Sequence, residues 1–474
     1  MTSPATADPA KAPTGPSRGA GSGLLHRLDP ARLLPVAWPV YFELMSGVIA
    51  GIISVFWVAR LGSAELSAVT MVTSLENVLL GVILAIGGGT TVALSRAVGA
   101  EDHSRTRQVL GTALRVTLVV TAVTCAVLLL AREPLARLTL GDTDARALDA
   151  AADYLAIAVP GIAVFYGQHV LDSVFKAHGD TRTPMRMAML SNGILLVADP
   201  VLIFGWLGAP RLGVAGSALA LVLSRAAVLL WTVRLYLRSE LRARLAAQAV
   251  EAPPRPDGAE AGPTPLAEIW KSGSPMAIDF FVRMAAGLLV VGVIARFGTE
   301  DVAAYGTVTK VLLFLSMAAY AIRQAATIVA ARATGAGDAG LVADTRSSTL
   351  RLGVVWSVLS GLLVLAGTSA LVAVLTEDQQ VRDAAASQAP WLAVYIGLLL
   401  CNVALSGVFF GGGQGSLLAY LTLGGATLQA VLAPSLAATA LGLTGVWLAM
   451  IANVGLQTTV MTTLSMRALA PASK

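Results

Sequence analysis

Long apolar stretches separated by short polar punctuation dominate this chain. Twelve of them reach the roughly 20 residues that a helix needs to cross the hydrocarbon core of a bilayer. They are residues 36–59, 66–94, 109–131, 152–174, 184–206, 212–235, 270–296, 302–330, 346–375, 386–409, 415–437 and 443–466. Each is predicted to be a membrane helix. Gly87-Gly88-Gly89, Pro160 and Pro434 interrupt three of them, which membrane helices tolerate where neighbours re-satisfy the freed backbone groups. Residues 1–34 are rich in Pro, Ala, Gly and Ser, with no short apolar core and small-residue cleavage site, and read as a disordered cytoplasmic tail rather than a secretion signal. A polar, Pro-rich interval at 238–267 reads as a cytoplasmic linker. It divides a six-span bundle at 35–237 from a second at 268–467, with 468–474 as a short tail.

Composition agrees with this pattern. Charged residues are 13% of the chain and apolar residues 56%, with a mean hydropathy of +0.74, against about 25% and 45–50% in soluble domains. That excess of grease excludes a disordered protein, a disulfide scaffold and an ordinary soluble enzyme. The net charge of +5 raises the question of nucleic acid, but the basic residues are scattered over many short loops and build no single basic face. With the N-terminus placed inside, twenty-one Lys and Arg fall on the cytoplasmic side and seven on the outer side, the bias that sets orientation. Both termini are therefore expected in the cytoplasm, with the protein in the plasma membrane. Cys125 and Cys401 lie in apolar runs and read as buried structural thiols. No His-Glu-x-x-His, Gly-x-Ser-x-Gly or phosphate-binding Gly-Lys-Ser/Thr loop occurs, so no cofactor, metal site or enzymatic chemistry is expected.

The two halves resemble one another. A single constant offset aligns Pro39 to Glu43 with Pro275 to Asp279, Arg60-Leu61-Gly62 with Arg296-Phe297-Gly298, and Arg96 to Ala100 with Arg332 to Ala336. Six spans per unit is an even number, so both copies enter the membrane the same way round, as parallel repeats about an axis along the membrane normal. Two such bundles face one another across a central cleft, a layout suited to a transporter.

Several segments resemble the multidrug and toxic compound extrusion (MATE) family. They are Pro39 with the run ending Val58-Ala59-Arg60-Leu61-Gly62, the stretch from Gly87 to Ala100, and Gly179-Asp180-Thr181-Arg182-Thr183-Pro184 followed by Asp199-Pro200 and by Leu212 to Ala220. The resemblance covers residues 36–466. It implies an all-α protein of twelve transmembrane helices that exports amphiphilic or cationic organic compounds by cation-coupled antiport, as a monomer. The chain departs from the family pattern at Ser54, Leu195 and Leu221, where one branch carries Asp, Asn and Thr, and at Arg283, where another carries Glu. Of that cation constellation only Asp199 remains, so proton coupling is expected in preference to sodium. A flippase for a lipid-linked precursor, needing the same two-lobed cleft, is the alternative.

Ionisable side chains inside a membrane cost about 2.5–3.5 kcal/mol each and usually face a cavity or a partner. Asp199, deep in the fifth span and followed by Pro200, is the leading candidate for proton exchange, with Asn192 two turns away on the same face. Glu43 is either a second coupling acid or a side chain snorkelling to the interface. Glu76 lies mid-membrane and is a further candidate for cation or proton coupling, with Arg225 or Lys310 as the base that could neutralise it. Asp279 and Arg283, one helical turn apart, suit an ion pair on the cleft wall. Tyr41 and Tyr305 are candidate cavity aromatics for stacking on an organic cation. His169 and Asp172 offer a further relay.

Overall fold

The computed structural model describes residues 33–140, 145–239, 263–375 and 379–467; the expected tails and most of the linker lie outside them. Apolar runs of this length have one way to satisfy their backbone in lipid, the helix. The first half comprises α1 (Leu33–Val58), α2 (Ser63–Ile83), α3 (Gly89–Gly99), α4 (His103–Leu130), α5 (Arg132–Leu140), α6 (Ala145–Ala177), α7 (Arg182–Phe204) and α8 (Val214–Arg238). The second comprises α9 (Pro265–Ile294), α10 (Thr299–Gly335), α11 (Ala339–Leu375), α12 (Gln379–Gly411), α13 (Gly415–Ala437) and α14 (Gly442–Arg467). Twelve of the helical stretches are long and apolar enough to cross a membrane, and they form two pseudo-symmetric six-helix lobes around a cleft. The face holding Leu33 and Arg467 is called the terminal face below.

The expected interruption at Gly87-Gly88-Gly89 is not a break. A single π turn, Leu84–Gly88, joins α2 and α3 into one span from Ser63 to Gly99. The glycines serve close packing. A Cβ on Gly89 would run into the Ile269 carbonyl, and one on Gly273 into that of Ala85, so α9 lies with its backbone against the π turn.

Elsewhere the local chemistry repeats between halves. Asp102 accepts the Arg105 amide at 2.7 Å at the start of α4, and its repeat equivalent Asp338 accepts the Leu341 amide at 2.9 Å at the start of α11. The Asp180-Thr181-Arg182-Thr183 segment is also a helix start, with Asp180 accepting from the amide and hydroxyl of Thr183 at 2.9 and 2.6 Å.

Among the described residues, apolar clusters that mix the two lobes lie toward one face of the membrane only. Near the opposite face each lobe packs on itself: one apolar cluster is built entirely from the first half, around Tyr154, Leu155 and Ile203, and another entirely from the second, around Ile396, Leu400 and Trp447. Toward the terminal face the clusters are mixed. Leu33 and Ala37 pack with Ala325, Ala326 and Val329, Ile269 joins Ala93 and Val174, and Val92 joins Met276 and Leu405. In the first of these, Ala37, Ala325, Ala326 and Ala330 let α1 and α10 approach closely, as expected where lipid offers no hydrophobic drive between helices; the other two are built mainly of larger apolar side chains.

A reciprocal pair of arginines fastens this contact. Arg96 of α3 donates to the Gly411 carbonyl at the end of α12 at 3.0 Å, while Arg332 of α10 donates to the Lys176 and Ala177 carbonyls at the end of α6. Each caps the last carbonyls of a helix from the other lobe, where the helix dipole is negative. Gly413 (φ 82°) and Gly179 (φ 88°) turn the chain just beyond those ends and leave the arginines room. The helices α3 and α10 cross at Gly99 and Gly335, where a Cβ on either would strike the other helix's backbone, at the carbonyls of Arg332 and Arg96. Arg332 and Lys176, expected in the loops, are thus buried helix-end residues, and Arg96 is a half-buried one. A one-sided strap adds to this: Arg105 of α4 reaches Glu268 of α9 at 2.7 Å.

Candidate functional site

Asp199 is fully buried in α7. By helix rise it lies only about 8 Å from Phe204, the opposite-face end of its helix. Ser54 of α1 donates to its Oδ2 at 3.3 Å, and Oδ1 accepts no hydrogen bond among the described residues. Ser217 of α8 stands beside it without closing a hydrogen bond. Nearer the terminal face, Asn192 donates to the Ser46 carbonyl at 2.9 Å and Ser46 donates to that of Ala188 at 2.9 Å. Asn192 therefore shares the α1–α7 seam with Asp199. Its amide fastens α1 rather than the carboxylate.

Glu43 does not snorkel. Lys176 Nζ donates to Glu43 Oε1 at 2.6 Å, with the two side chains 4% and 11% exposed. Asp172, one turn before Lys176, accepts from Gln168 at 2.8 Å, and Gln168 also donates to Thr232 at 3.2 Å. Lys176 thus ties α6 to α1 and Gln168 ties α6 to α8, with no hydrogen bond or ion pair between the two sets among the described residues. His169 is turned away from both, its ring edge-on to Phe165 at 4.6 Å. No hydrogen bond joins His169 to Asp172, so the two form no relay in this state.

The second half carries its acid at the repeat-equivalent place. Asp279, the counterpart of Glu43, accepts from Arg283 Nε at 2.8 Å, Thr422 Oγ1 at 2.8 Å and Arg323 at 3.3 Å. The expected i,i+4 pair is present, with a second arginine added. Arg283 also donates to Asn402 Oδ1 at 2.7 Å, and Arg323 stacks over Phe410 at 4.7 Å. The repeat keeps an acid in each lobe but pairs it differently: Glu43 with a lysine of α6, Asp279 with an arginine of its own helix and one of α10.

Other expected partners are not joined. Glu76 makes no ion pair or hydrogen bond among the described residues, and Arg225 lies over the Phe165 ring at 4.4 Å instead. The Lys310 side chain is outside the described residues. Tyr305 packs into the second-lobe cluster with its ring 5.9 Å from Trp447, and Tyr41 stands edge-on to Phe42 at 5.5 Å. Lys176, Asn402, Gln168 and Thr422 were not singled out from sequence. The signal available for Lys176 was a buried acid at Glu43 without a base on its own helix.

Just past α6, outside the span, His178 Nδ1 bonds the Val174 carbonyl at 2.9 Å. Burial holds its imidazole below the ordinary range, with the neighbouring charges of Arg332 and His103 adding to this and the carbonyl opposing it.

The family model MatE matches residues 39–201 and again residues 275–435, once per lobe. The chain belongs to the MATE family. It is similar to the probable multidrug resistance protein NorM of Thermotoga maritima, 24% identical over 431 residues and 89% of each chain. It is also similar to the probable multidrug resistance protein YoeA of Bacillus subtilis, 26% identical over 307 residues; that match spans 64% of either chain. A crystal structure of a MATE protein in the bent conformation superposes with a TM-score of 0.82 at 20% identity, covering 96% of this chain and 98% of that one. The likeness is one of fold. MATE proteins are transporters, and twelve apolar helices make this one a multi-pass membrane protein.

Proposed function

We propose that this MATE protein is a proton-coupled antiporter that exports amphiphilic or cationic organic compounds across the plasma membrane by alternating access, as a monomer with both termini in the cytoplasm. In that orientation the terminal face is cytoplasmic, and the arginine-fastened contact closes the cleft on that side. Relatives with multidrug-resistance names support export of organic compounds.

The observation that carries the coupling is Asp199: a fully buried carboxylate with one long hydrogen bond and an oxygen that accepts none. Such a group is expensive to hold as an anion, so taking up and releasing a proton is the chemistry that suits it. Sodium suits it poorly, because a hard cation wants several oxygen ligands and among the described residues no cluster of acids gathers there. One proton crossing 100 mV supplies about 2.3 kcal/mol, and each pH unit about 1.4 kcal/mol more.

Efflux of ethidium from everted vesicles, under imposed pH or sodium gradients, tests this reading. The pH gradient is expected to drive transport, and Asp199→Asn to abolish it. Transport driven by sodium alone, or undiminished in Asp199→Asn, overturns it.

A further inference from the structure

The second lobe contains more positive charge at mid-membrane than its acid can neutralise. Arg283 of α9 and Arg323 of α10 share the single carboxylate of Asp279. By helix rise, Arg283 lies about 27 Å from the start of α9 and about 17 Å from its end, well inside the hydrocarbon depth. The partners that fix the cluster come from four helices: Asp279 on α9, Arg323 on α10, Asn402 on α12 and Thr422 on α13. What surface the guanidinium groups keep therefore opens among these helices and not onto lipid.

The cluster is rigid. Asn402 presents its oxygen to Arg283 while its amide nitrogen is turned to the Met461 sulfur at 3.3 Å. The Arg323 guanidinium lies over the Phe410 ring. Arg283 uses Nε and one terminal nitrogen, and Arg323 one terminal nitrogen; their other N–H groups make no hydrogen bond among the described residues. None of those nitrogens is shut off from solvent, unlike the Nε of Arg96 or Arg332. The side chains as wholes are 20% and 11% exposed.

Comparison between the halves separates this feature from the shared scaffold. The crossing arginines Arg96 and Arg332 occur in both repeats. At the repeat equivalents of Arg283 and Arg323 the first half has Gly47 and Gly87. The repeat architecture thus stands without a base at either place, and the surplus charge belongs to one lobe alone.

We propose that Arg283 and Arg323 form a subsite for an oxyanion, a carboxylate or phosphate group on the cargo, so that this transporter takes anionic or zwitterionic amphiphiles as well as cations. Preset guanidinium forks in a water-poor site are well matched to such groups in geometry and charge. The inference rests on the transport reading only in treating the cleft as the cargo path. Its test is equilibrium binding, which does not depend on coupling.

The test uses purified full-length protein in nanodiscs, with carboxyfluorescein as the anionic probe and ethidium as the cationic one. Arg323→Gln leaves the Asp279–Arg283 pair intact and removes the surplus charge. Asp279→Asn enlarges it. Carboxyfluorescein binding is expected to weaken at least roughly tenfold in the first variant and to tighten in the second, with ethidium changing little in Arg323→Gln. A monodisperse elution profile and a cooperative melt confirm folding of each variant. In parallel, NBD-phosphatidylglycerol is reconstituted with the protein in vesicles and its scrambling followed by dithionite. Scrambling that falls in Arg323→Gln, without carboxyfluorescein binding to the wild type, places the oxyanion on a lipid rather than a free solute. Carboxyfluorescein affinity and scrambling both indifferent to the two substitutions overturn the proposal, whatever the ethidium efflux assay shows.

Discussion

Asp199, Glu43 and Asp279 are three acids in oil with three different fates, decided by the donors within hydrogen-bond reach of each. Asp279 has three donors and Glu43 one ammonium, while Asp199 has a single serine. The well-paired acids are structural in this state, and breaking such a pair strands a charge. Lys176→Met should therefore destabilise the protein by about 3–5 kcal/mol, read as a lower melting temperature in detergent. Adding Glu43→Gln should restore most of the loss, since neither member of that ion pair then remains charged. Ser54→Ala removes the one hydrogen bond to Asp199 and should leave the melting temperature within a few degrees while shifting the pH profile of efflux. An unaltered profile would show that Ser54 does not tune the carboxylate. Sequence marked these acids because any charge inside an apolar run is conspicuous. Their partners stayed hidden, because Lys176 and Glu43 are far apart in the chain and nothing in a linear pattern states that α1 and α6 meet there.

Among the elements, the crossing of α3 with α10 is where the two lobes are committed to one another. Gly99 and Gly335 have no space for a Cβ, whereas Gly51 has no atom within 4 Å of one. Gly99→Ala should force the lobes apart at the terminal face, raising alkylation of a cysteine placed at Ala336 and reducing efflux. Gly51→Ala should leave both unchanged. His178 adds a pH dependence to the same place. Its folded-state affinity for a proton is below its unfolded one, so its contribution to stability is full above the ordinary imidazole range near about 6.5 and declines as the pH falls below it. Protonation would add a charge beside Arg332. The wild-type melting temperature should thus fall faster below about pH 6.5 than that of His178→Gln. Helix positions were legible along the chain, since twelve apolar runs leave few alternatives. The arginines were misplaced because a positive charge at the end of a span reads as a loop residue until the facing helix end is known. The repeat alignment already contained the clue: it placed Arg96 on Arg332 and Gly99 on Gly335.

Over the whole molecule, one sequence motif used twice produces a contact that is symmetric near the terminal face and, among the described residues, has no matching apolar cluster near the opposite face. Mixed apolar clusters, reciprocal arginine caps and crossing glycines all lie on one side of the membrane's midplane. Single-lobe clusters occupy the other side. Alternating access requires that this division be reversible, with the terminal-face contact released as the opposite side closes, and that Asp199 bias the exchange. Spin labels at the repeat-equivalent positions Ala100 and Ala336 report one face, and labels at Ser63 and Thr299 the other, in a background with Cys125 and Cys401 replaced. Double electron–electron resonance on both pairs, recorded in nanodiscs across a pH series with and without Asp199→Asn, is the most direct test. The account expects the two distances to change in opposite directions as pH is varied, and the change to vanish in Asp199→Asn. Distances that move together, or that shift identically whether or not Asp199 can ionise, would contradict it.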